Sequence, residues 1–207
     1  MKKLAFMIGL IAIACGPTKL ETNNKEDSGG SPPAPPLEPV GVIPGDDCQQ
    51  IDMGDKACNF RLTDQTGETW DLYRHTGDII VLDFSADWCY PCQLAAEHTQ
   101  ALQDEYADDG VQIVTVLIDG PTPGVGAIEQ DVSQWVSLHG ITTAPVLQGS
   151  REKMLDSQDG TVAEPGVTGY LLNAFPTYIY IGRDMKFYAG HVGFSEEYIR
   201  QKIQEGL

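Results

Sequence analysis

The fold of this chain is decided by residues 81–92, which read VLDFSADWCYPC. The first half of this stretch belongs to a nearly continuous apolar run, which is typical of a central strand covered on both faces. Cys89 and Cys92 follow where the periodicity of a helix begins. Because the two cysteines are three residues apart, both thiols should lie on one helix face and be able to form a disulfide. Pro91 favours the first turn of that helix.

A cysteine pair at the start of a helix has a physical reason to be reactive. The free N–H groups and the dipole of the helix stabilise a thiolate, which is the nucleophilic form. We therefore predict that Cys89 is the exposed, reactive thiol and that Cys92 is sheltered one turn further on. Zinc sites use the same spacing but commonly need a second pair of ligands, and Cys48 and Cys58 are too far apart to form one. His98 is interpreted as a packing residue, and no metal or cofactor is expected.

The remaining pattern alternates strands and helices. The predicted strands cover residues 59–64 and 68–73 (a hairpin), 78–85, 111–118, 175–182 and 185–191, and the predicted helices cover 90–106, 129–139 and a segment starting at Ser195. This order predicts an α/β fold in which helices pack on a central sheet.

Two parts of the chain resemble thioredoxins. Residues 81–92 resemble the thioredoxin active-site segment, and Phe175-Pro176-Thr177 resembles the cis-proline loop of that family. Residues 64–72 and 77–82 are similar to the first strands of the membrane-tethered, periplasmic TlpA/ResA-like redoxins. The resemblance implies a thioredoxin-like fold with a central mixed β-sheet flanked by helices, an extra N-terminal hairpin and a mid-domain insertion.

The resemblance also implies roles for individual residues. It makes Cys89 the nucleophile and Cys92 the resolving thiol of a thiol–disulfide exchange. Asp83 matches the buried acid that exchanges protons with the resolving cysteine, and an acid inside an apolar strand is costly to bury without a purpose or a partner. Pro176 would be cis, which would let Phe175 pair its backbone with a substrate strand.

Other positions near the cysteines set expectations and limits. Trp88 and Tyr90 are expected to contact substrate, although a plain packing role for Trp88 fits equally well. Ala95 stands where many TlpA/ResA-like proteins have a glutamate, and Ala86 stands where peroxiredoxins have a threonine. The likeness is weakest over residues 120–169, a region longer than in a minimal thioredoxin and a candidate for partner recognition.

The N-terminus predicts export. Residues 1–14 have two lysines followed by eleven mostly apolar residues, which is too few for a spanning helix of ~20 residues. The junction before Cys15 resembles a bacterial lipoprotein signal, in which that cysteine is lipidated, although ordinary signal peptidase would also cut there. Lipidation of Cys15 would account for the odd fifth cysteine.

Residues 15–45 are rich in Pro, Gly and Ser and are predicted to form a disordered tether between the membrane and a domain at residues 46–207. A proline-rich ligand for another domain is the alternative for this segment. At the edge of the domain, Cys48 and Cys58 are predicted to form a structural disulfide, as is usual in an oxidising compartment. A second exchange pair that relays electrons is the other interpretation.

The charge of the chain limits its partners. Against 13 Lys and Arg there are 30 Asp and Glu, so the formal net charge is −17, which excludes a nucleic-acid binder that relies on a basic face. We predict an exported, lipid-anchored thiol–disulfide oxidoreductase facing the periplasm or cell exterior. Its partners would be protein thiols and disulfides, and a membrane redox protein would recycle it. The alternative is a non-enzymatic thioredoxin-like module that binds Cu(I) or a partner protein.

Overall fold

The computed structural model of the chain describes residues 38, 41–42, 53–154, 172 and 174–207. These residues belong to one unit, Pro36–Leu207. In chain order its elements are β1 (Gly41–Val42), β2 (Phe60–Thr63), β3 (Thr69–Asp71), β4 (Ile79–Ala86), α1 (Tyr90–Tyr106), β5 (Val111–Asp119), α2 (Glu129–His139), β6 (Val146–Gln148), α3 (Arg151–Met154), β7 (Thr177–Ile181), β8 (Phe187–Val192) and α4 (Glu196–Gly206). Short 3₁₀ turns follow β3 and α1.

The central sheet is mixed and has five strands in the order β6-β5-β4-β7-β8. The strand β4 lies in the middle, parallel to β5 and antiparallel to β7. Every residue of β4 is buried, which explains why its sequence is apolar without alternation. The predicted central mixed sheet is therefore present.

The two faces of this sheet bury different layers. On one face, Ile79 and Val81 of β4 pack with Leu102 of α1 and Ile203 of α4. On the other face, Leu82 packs against the layer that includes the β2–β3 hairpin. Because side chains alternate along a strand, the odd-numbered residues of β4 point toward α1 and the even-numbered ones toward the hairpin.

The N-terminal hairpin lies where it was predicted. The strands β2 and β3 pair antiparallel, with Leu62 opposite Trp70. The turn between them is held by Asp64, whose carboxylate accepts hydrogen bonds from the backbone N–H groups of Thr66 and Glu68. The strand β1 also pairs with β2, so Gly41 and Val42 belong to this sheet although they fall inside the segment predicted as tether.

Several elements end where local signals place them. Helix α2 ends at Gly140, which has a φ of 64°, a conformation that favours glycine. Helix α4 begins after Ser195, whose side chain accepts a hydrogen bond from the Tyr198 N–H. The predicted bounds of α1 and α2 agree with the structure, whereas β7 and β8 differ from prediction by a few residues at their ends.

The middle region, residues 120–169, adds one strand to the central sheet. Besides the predicted helix α2, it contains β6, which pairs parallel with β5, and the short helix α3, neither of which was predicted. Much of the rest of this region lies outside the described residues. None of the helices in the described ranges has the length and apolar character needed to span a bilayer.

Candidate active site

Cys89 and Cys92 form a disulfide at the N-terminus of α1, with their Cα atoms 5.2 Å apart. Cys89 is the N-cap residue of the helix, and Pro91 lies in the first turn. The lack of an N–H on proline costs nothing there, because N–H groups of the first turn have no partner within the helix. The helix dipole is therefore directed at the sulfur pair and stabilises negative charge that develops there.

Backbone hydrogen bonds hold this turn in place. The Cys89 carbonyl accepts hydrogen bonds from the N–H groups of Cys92 and Gln93, at 2.9 and 3.1 Å, and the Cys89 N–H donates to the Ala86 carbonyl at 3.0 Å. The Gln93 side chain also donates to the Asp87 carbonyl at 2.7 Å. Both cysteines are thus fixed between the end of β4 and the start of α1.

Cys89 is the more exposed of the two cysteines, as predicted, but both are buried in the disulfide form. Cys89 is only 4% exposed and Cys92 is fully buried, so the order is as expected but the difference is small. Both residues belong to a buried cluster that includes Ala96 of α1, and Phe175 packs against that cluster from outside. The surroundings of the disulfide cover Cys89 more than its position at a helix end suggests.

The loop before β7 lies against the disulfide cluster. The Phe175–Pro176 peptide bond is cis, as predicted, and Pro176 is buried. The Thr177 hydroxyl donates to the Ala174 carbonyl at 2.6 Å, which closes the turn around this bond. Phe175, which packs on the cysteine cluster, therefore belongs to the wall of the site.

Two aromatic residues near the disulfide remain open to solvent. Trp88 is 42% exposed and Tyr90 is 67% exposed, which is unusual for large apolar side chains. The rings of Trp88 and Phe175 meet edge to face with centroids 6.1 Å apart. Of the four residues predicted to bind substrate, Trp88 and Tyr90 therefore flank Cys89 in sequence, Phe175 packs on the cysteine cluster, and Pro176 forms the cis bond next to Phe175.

Asp83 is buried in the middle of β4 and faces the layer that contains α1. Its carboxylate accepts a hydrogen bond from the Ser85 hydroxyl at 2.8 Å, and its cross-strand neighbour on β7 is Tyr178. Burial raises the pKa of Asp83 from 3.8 to about 7, against the smaller opposing effect of hydrogen bonds from Ser85 and Tyr178. The group can therefore gain or lose a proton near neutral pH.

A second buried carboxylate, which sequence reasoning missed, lies at the end of β5. Asp119 accepts two hydrogen bonds from the Arg151 guanidinium, at 2.9 and 2.8 Å, and one from the Trp88 indole N–H at 3.1 Å. Burial alone would raise the pKa of Asp119, but hydrogen bonds from Arg151, the Gly124 N–H and Trp88 hold it below its ordinary value. Asp119 is therefore ionised at neutral pH.

The other predicted site residues lie away from this centre or outside the described residues. Cys15 and Cys48 lie outside them. Cys58 is buried and disulfide-bonded, and its pairing with Cys48 stays a prediction. His98, interpreted from the sequence as a packing residue, lies with its Nδ1 2.7 Å from a carboxylate oxygen of Glu196 of α4, and its ring contacts Phe194. Within the described part of the chain, no group of three or more His, Cys, Asp or Glu residues is placed to hold a metal ion.

A mixed sheet, a Cys-x-x-Cys disulfide at a helix N-terminus and a cis-proline loop beside it define the class of thioredoxin-like redox proteins. Residues 53–184 match the model of the AhpC/TSA family, and the chain belongs to that family. It is 27% identical over 151 residues to the thiol-disulfide oxidoreductase ResA of Halalkalibacterium halodurans, which covers 73% of this chain and 75% of that protein. The ResA of Oceanobacillus iheyensis is 37% identical over 79 residues, or 36% of this chain and 41% of that protein.

Solved structures agree with this classification. A protein of Chlorobium tepidum assigned as thiol:disulfide interchange protein DsbE superposes with a TM-score of 0.59 at 27% identity, over 76% of this chain and 99% of that one. The exposed lipoprotein thioredoxin Etrx1 of Streptococcus pneumoniae strain TIGR4 gives a TM-score of 0.55 at 27% identity, over 72% and 99%. The predicted thioredoxin-like fold and the thiol–disulfide oxidoreductase class are confirmed.

The raised pKa of Asp83 predicts how stability depends on pH. The native state binds this proton more tightly than the unfolded chain, so the free energy of unfolding should fall as pH rises from about 4 to about 7. The contribution is about 4 kcal/mol and is fully lost above the native pKa. Asp83→Asn should remove this part of the decline and be the more stable protein at pH 8.

Urea unfolding of the oxidised proteins at pH 5 and pH 8 measures the part of this contribution that falls between these two pH values, about 3 kcal/mol. Asp108→Asn, a change at an exposed aspartate, is the matched control and should keep the pH dependence of the wild type. Equal pH dependence in all three proteins would contradict a pKa near 7 for Asp83.

Proposed function

We propose that this protein is an exported, membrane-tethered oxidoreductase that exchanges its Cys89–Cys92 disulfide with the thiols of other proteins. The observation that carries the proposal is the disulfide at the N-terminus of α1, with the cis Phe175–Pro176 loop against the same cluster. The helix stabilises the thiolate needed for exchange, and the loop provides a wall beside it. The relatives named thiol-disulfide oxidoreductase ResA support the same chemistry.

The exchange proceeds in two steps. In the dithiol form, the Cys89 thiolate attacks one sulfur of a protein disulfide, which forms a mixed disulfide and releases the other substrate sulfur as a thiolate. The Cys92 thiolate then attacks the Cys89 sulfur and releases the second substrate thiolate. The substrate has gained two electrons, and the Cys89–Cys92 disulfide has formed. The oxidised form runs the same steps in reverse, and a dithiol or disulfide protein at the membrane restores the starting state.

Asp83 is proposed as the proton acceptor for the second step. Cys92 must lose its proton before it can attack, and Asp83 points from β4 into the layer that includes α1, the helix that contains Cys92. Because its pKa is raised to about 7, the carboxyl accepts a proton near neutral pH and returns it without a large energetic penalty. An aspartate with an ordinary pKa would be a much weaker base at the same position.

Substrate docking is assigned to the aromatic residues around the disulfide. Trp88 and Tyr90 are exposed beside Cys89, and Phe175 packs against the cysteine cluster and meets the edge of the Trp88 ring. Exposed aromatic side chains of this kind supply large contact area at a small loss of conformational entropy. A polypeptide laid along the cis-proline loop would contact these three residues while its disulfide reaches Cys89.

The proposed tether rests on the N-terminal sequence. A signal-like segment ends at Cys15, and residues 15–45 would separate a lipid anchor from the folded domain. A structural relative is named as an exposed lipoprotein thioredoxin, which supports an exported and anchored location. The Cys48–Cys58 disulfide is proposed as a structural crosslink at the edge of that domain.

The division of labour between the cysteines predicts which variant traps substrates. Cys92→Ser keeps the attacking thiol but removes the thiol that resolves the mixed disulfide, so it should accumulate covalent complexes with protein partners in its native compartment. Cys89→Ser is the matched control and should trap far less, because Cys92 is fully buried. Non-reducing electrophoresis and mass spectrometry identify the trapped proteins. Equal trapping by both variants, or none by either, would refute these roles and favour the metal-binding alternative.

The proposed role of Asp83 predicts a change in the rate of resolution. Asp83→Asn should slow reduction of a protein disulfide roughly 10- to 100-fold near pH 7, since a general base is lost. Stopped-flow measurement of the mixed-disulfide lifetime from pH 5 to 9 should show a rate that rises toward pH 7 in the wild type and lacks that inflection in the variant. A wild-type profile in the variant would rule out the role, with Asp108→Asn as the control for a change in net charge.

The lipid anchor is tested at Cys15. Cys15→Ser should move the protein from the membrane to the soluble fraction of a bacterial host and abolish its labelling by radioactive palmitate. Ser31→Ala, a change within the same segment, should leave both properties as in the wild type. Retention of Cys15→Ser in the membrane fraction would show that the attachment is of another kind.

A further inference from the structure

The side chains of Arg151, Asp119, Trp88 and Phe175 form a closed ring of contacts beside the disulfide. The Arg151 guanidinium holds both oxygens of Asp119, and one of those oxygens also accepts the Trp88 indole N–H. Arg151 also lies over the Phe175 ring, 5.6 Å from its centroid, and the Trp88 ring meets the edge of the same phenylalanine. Trp88 and Phe175, the two aromatic walls of the site, thus contact each other, and each also contacts the Arg151–Asp119 ion pair.

The members of this ring come from separate parts of the chain. Trp88 precedes α1, Asp119 ends β5, Arg151 begins α3, and Phe175 precedes β7. Arg151 is the one contributed by the region that follows β6, where the chain is least similar to thioredoxins. The middle region therefore contributes Arg151 to this ring of contacts, in addition to residues such as Trp135 that it contributes to the buried cluster around the disulfide.

We propose that Arg151 and Asp119 are positioning residues for polypeptide substrates: the ion pair fixes Trp88 and Phe175 at the mutual angle that receives a substrate chain beside the disulfide. This inference rests on the proposed function, and it assigns part of the substrate preference to the middle region. Neither residue takes part in the exchange of electrons.

The burial of Asp119 makes this arrangement rigid. Its side chain is fully buried, so without the guanidinium an uncompensated charge would remain in the interior. The carboxylate would then draw in water or turn away, and the indole of Trp88 would lose the acceptor that sets its orientation. The Phe175 ring would at the same time lose the cation that covers one of its faces.

Substrate size separates this role from a general structural one. A small aromatic disulfide needs only access to the Cys89 sulfur, whereas a polypeptide must also lie against both aromatic rings. Misplaced walls therefore weaken docking of a polypeptide more than they slow the chemical step, which raises KM with little change in kcat.

The experiment compares two substrates on the full-length protein. Arg151→Met should raise KM for insulin disulfides about tenfold while kcat changes less than about twofold, as expected when only binding contacts are lost. The rate with 5,5′-dithiobis(2-nitrobenzoate) should stay within about twofold of the wild type. Arg151→Lys keeps the charge but not the two-point contact, and should give an intermediate KM.

A control variant and a spectroscopic signal complete the test. Arg200→Met removes the ion pairs that Arg200 makes with Glu196 of the same helix and with Glu105 near the C-terminal end of α1, and should leave both kinetic constants unchanged. Of the three tryptophans, Trp70 and Trp135 are buried and Trp88 is exposed, so iodide quenching reports mainly on Trp88. Quenching should increase in Arg151→Met and stay unchanged in Arg200→Met.

The outcomes distinguish this inference from the proposed function. An active wild type whose KM for insulin is the same in Arg151→Met would overturn the positioning role and leave the oxidoreductase assignment intact. A parallel fall of activity toward both substrates would show a structural role instead. A wild type that exchanges with neither substrate would contradict the proposed function itself.

Discussion

Burial of β4 on both faces and along both edges is the constraint on which the rest of the structure depends. The strand needs β5 and β7 as hydrogen-bonding neighbours, a helical layer over one face and the hairpin layer over the other. Removing its apolar residues from water is the largest favourable contribution available to such a segment. Because the strand is fixed on all sides, the turn that follows it is fixed too, and Cys89 begins α1 at a defined point.

The same constraint explains how a reactive site persists in a stable core. Among the described residues, no cation offsets the burial of the aspartate in the middle of this strand, so its ionised form is destabilised and its pKa rises. The fold tolerates this because the surrounding apolar residues stabilise it by more than one buried acid destabilises it. The disulfide is likewise covered, and the loop around Phe175 that covers it supplies the wall that a substrate would meet.

Sequence patterns predicted those features that depend on neighbours along the chain. The bounds of α1 follow from Pro91 near its start and Gly110 after its end, and the buried strands follow from their apolar composition. Features that depend on strand register or on distant segments were missed. Tyr178 is the neighbour of Asp83 because β7 pairs antiparallel with β4, and the sequence does not show that register. Ser85 lies two residues from Asp83 on the same face of the strand, so it could have been identified as a hydrogen-bond donor to Asp83. Asp119 and Arg151 are 32 residues apart in the chain. The strand that brings Arg151 back to the sheet, β6, has only three residues and is too short to show a periodic pattern in the sequence.

Two buried aspartates in one site acquire opposite properties from their surroundings. In the described part of the chain, the donors to Asp83 are the hydroxyls of Ser85 and Tyr178, so desolvation dominates and its carboxyl is protonated for part of the time at neutral pH. Asp119 is just as inaccessible, but a guanidinium and two N–H groups satisfy its oxygens, and it stays ionised. A carboxyl that changes charge near pH 7 is suited to moving a proton, whereas one with a constant charge is suited to holding other groups in place. The chain can therefore keep Trp88 anchored at any pH at which Asp83 takes up or releases its proton.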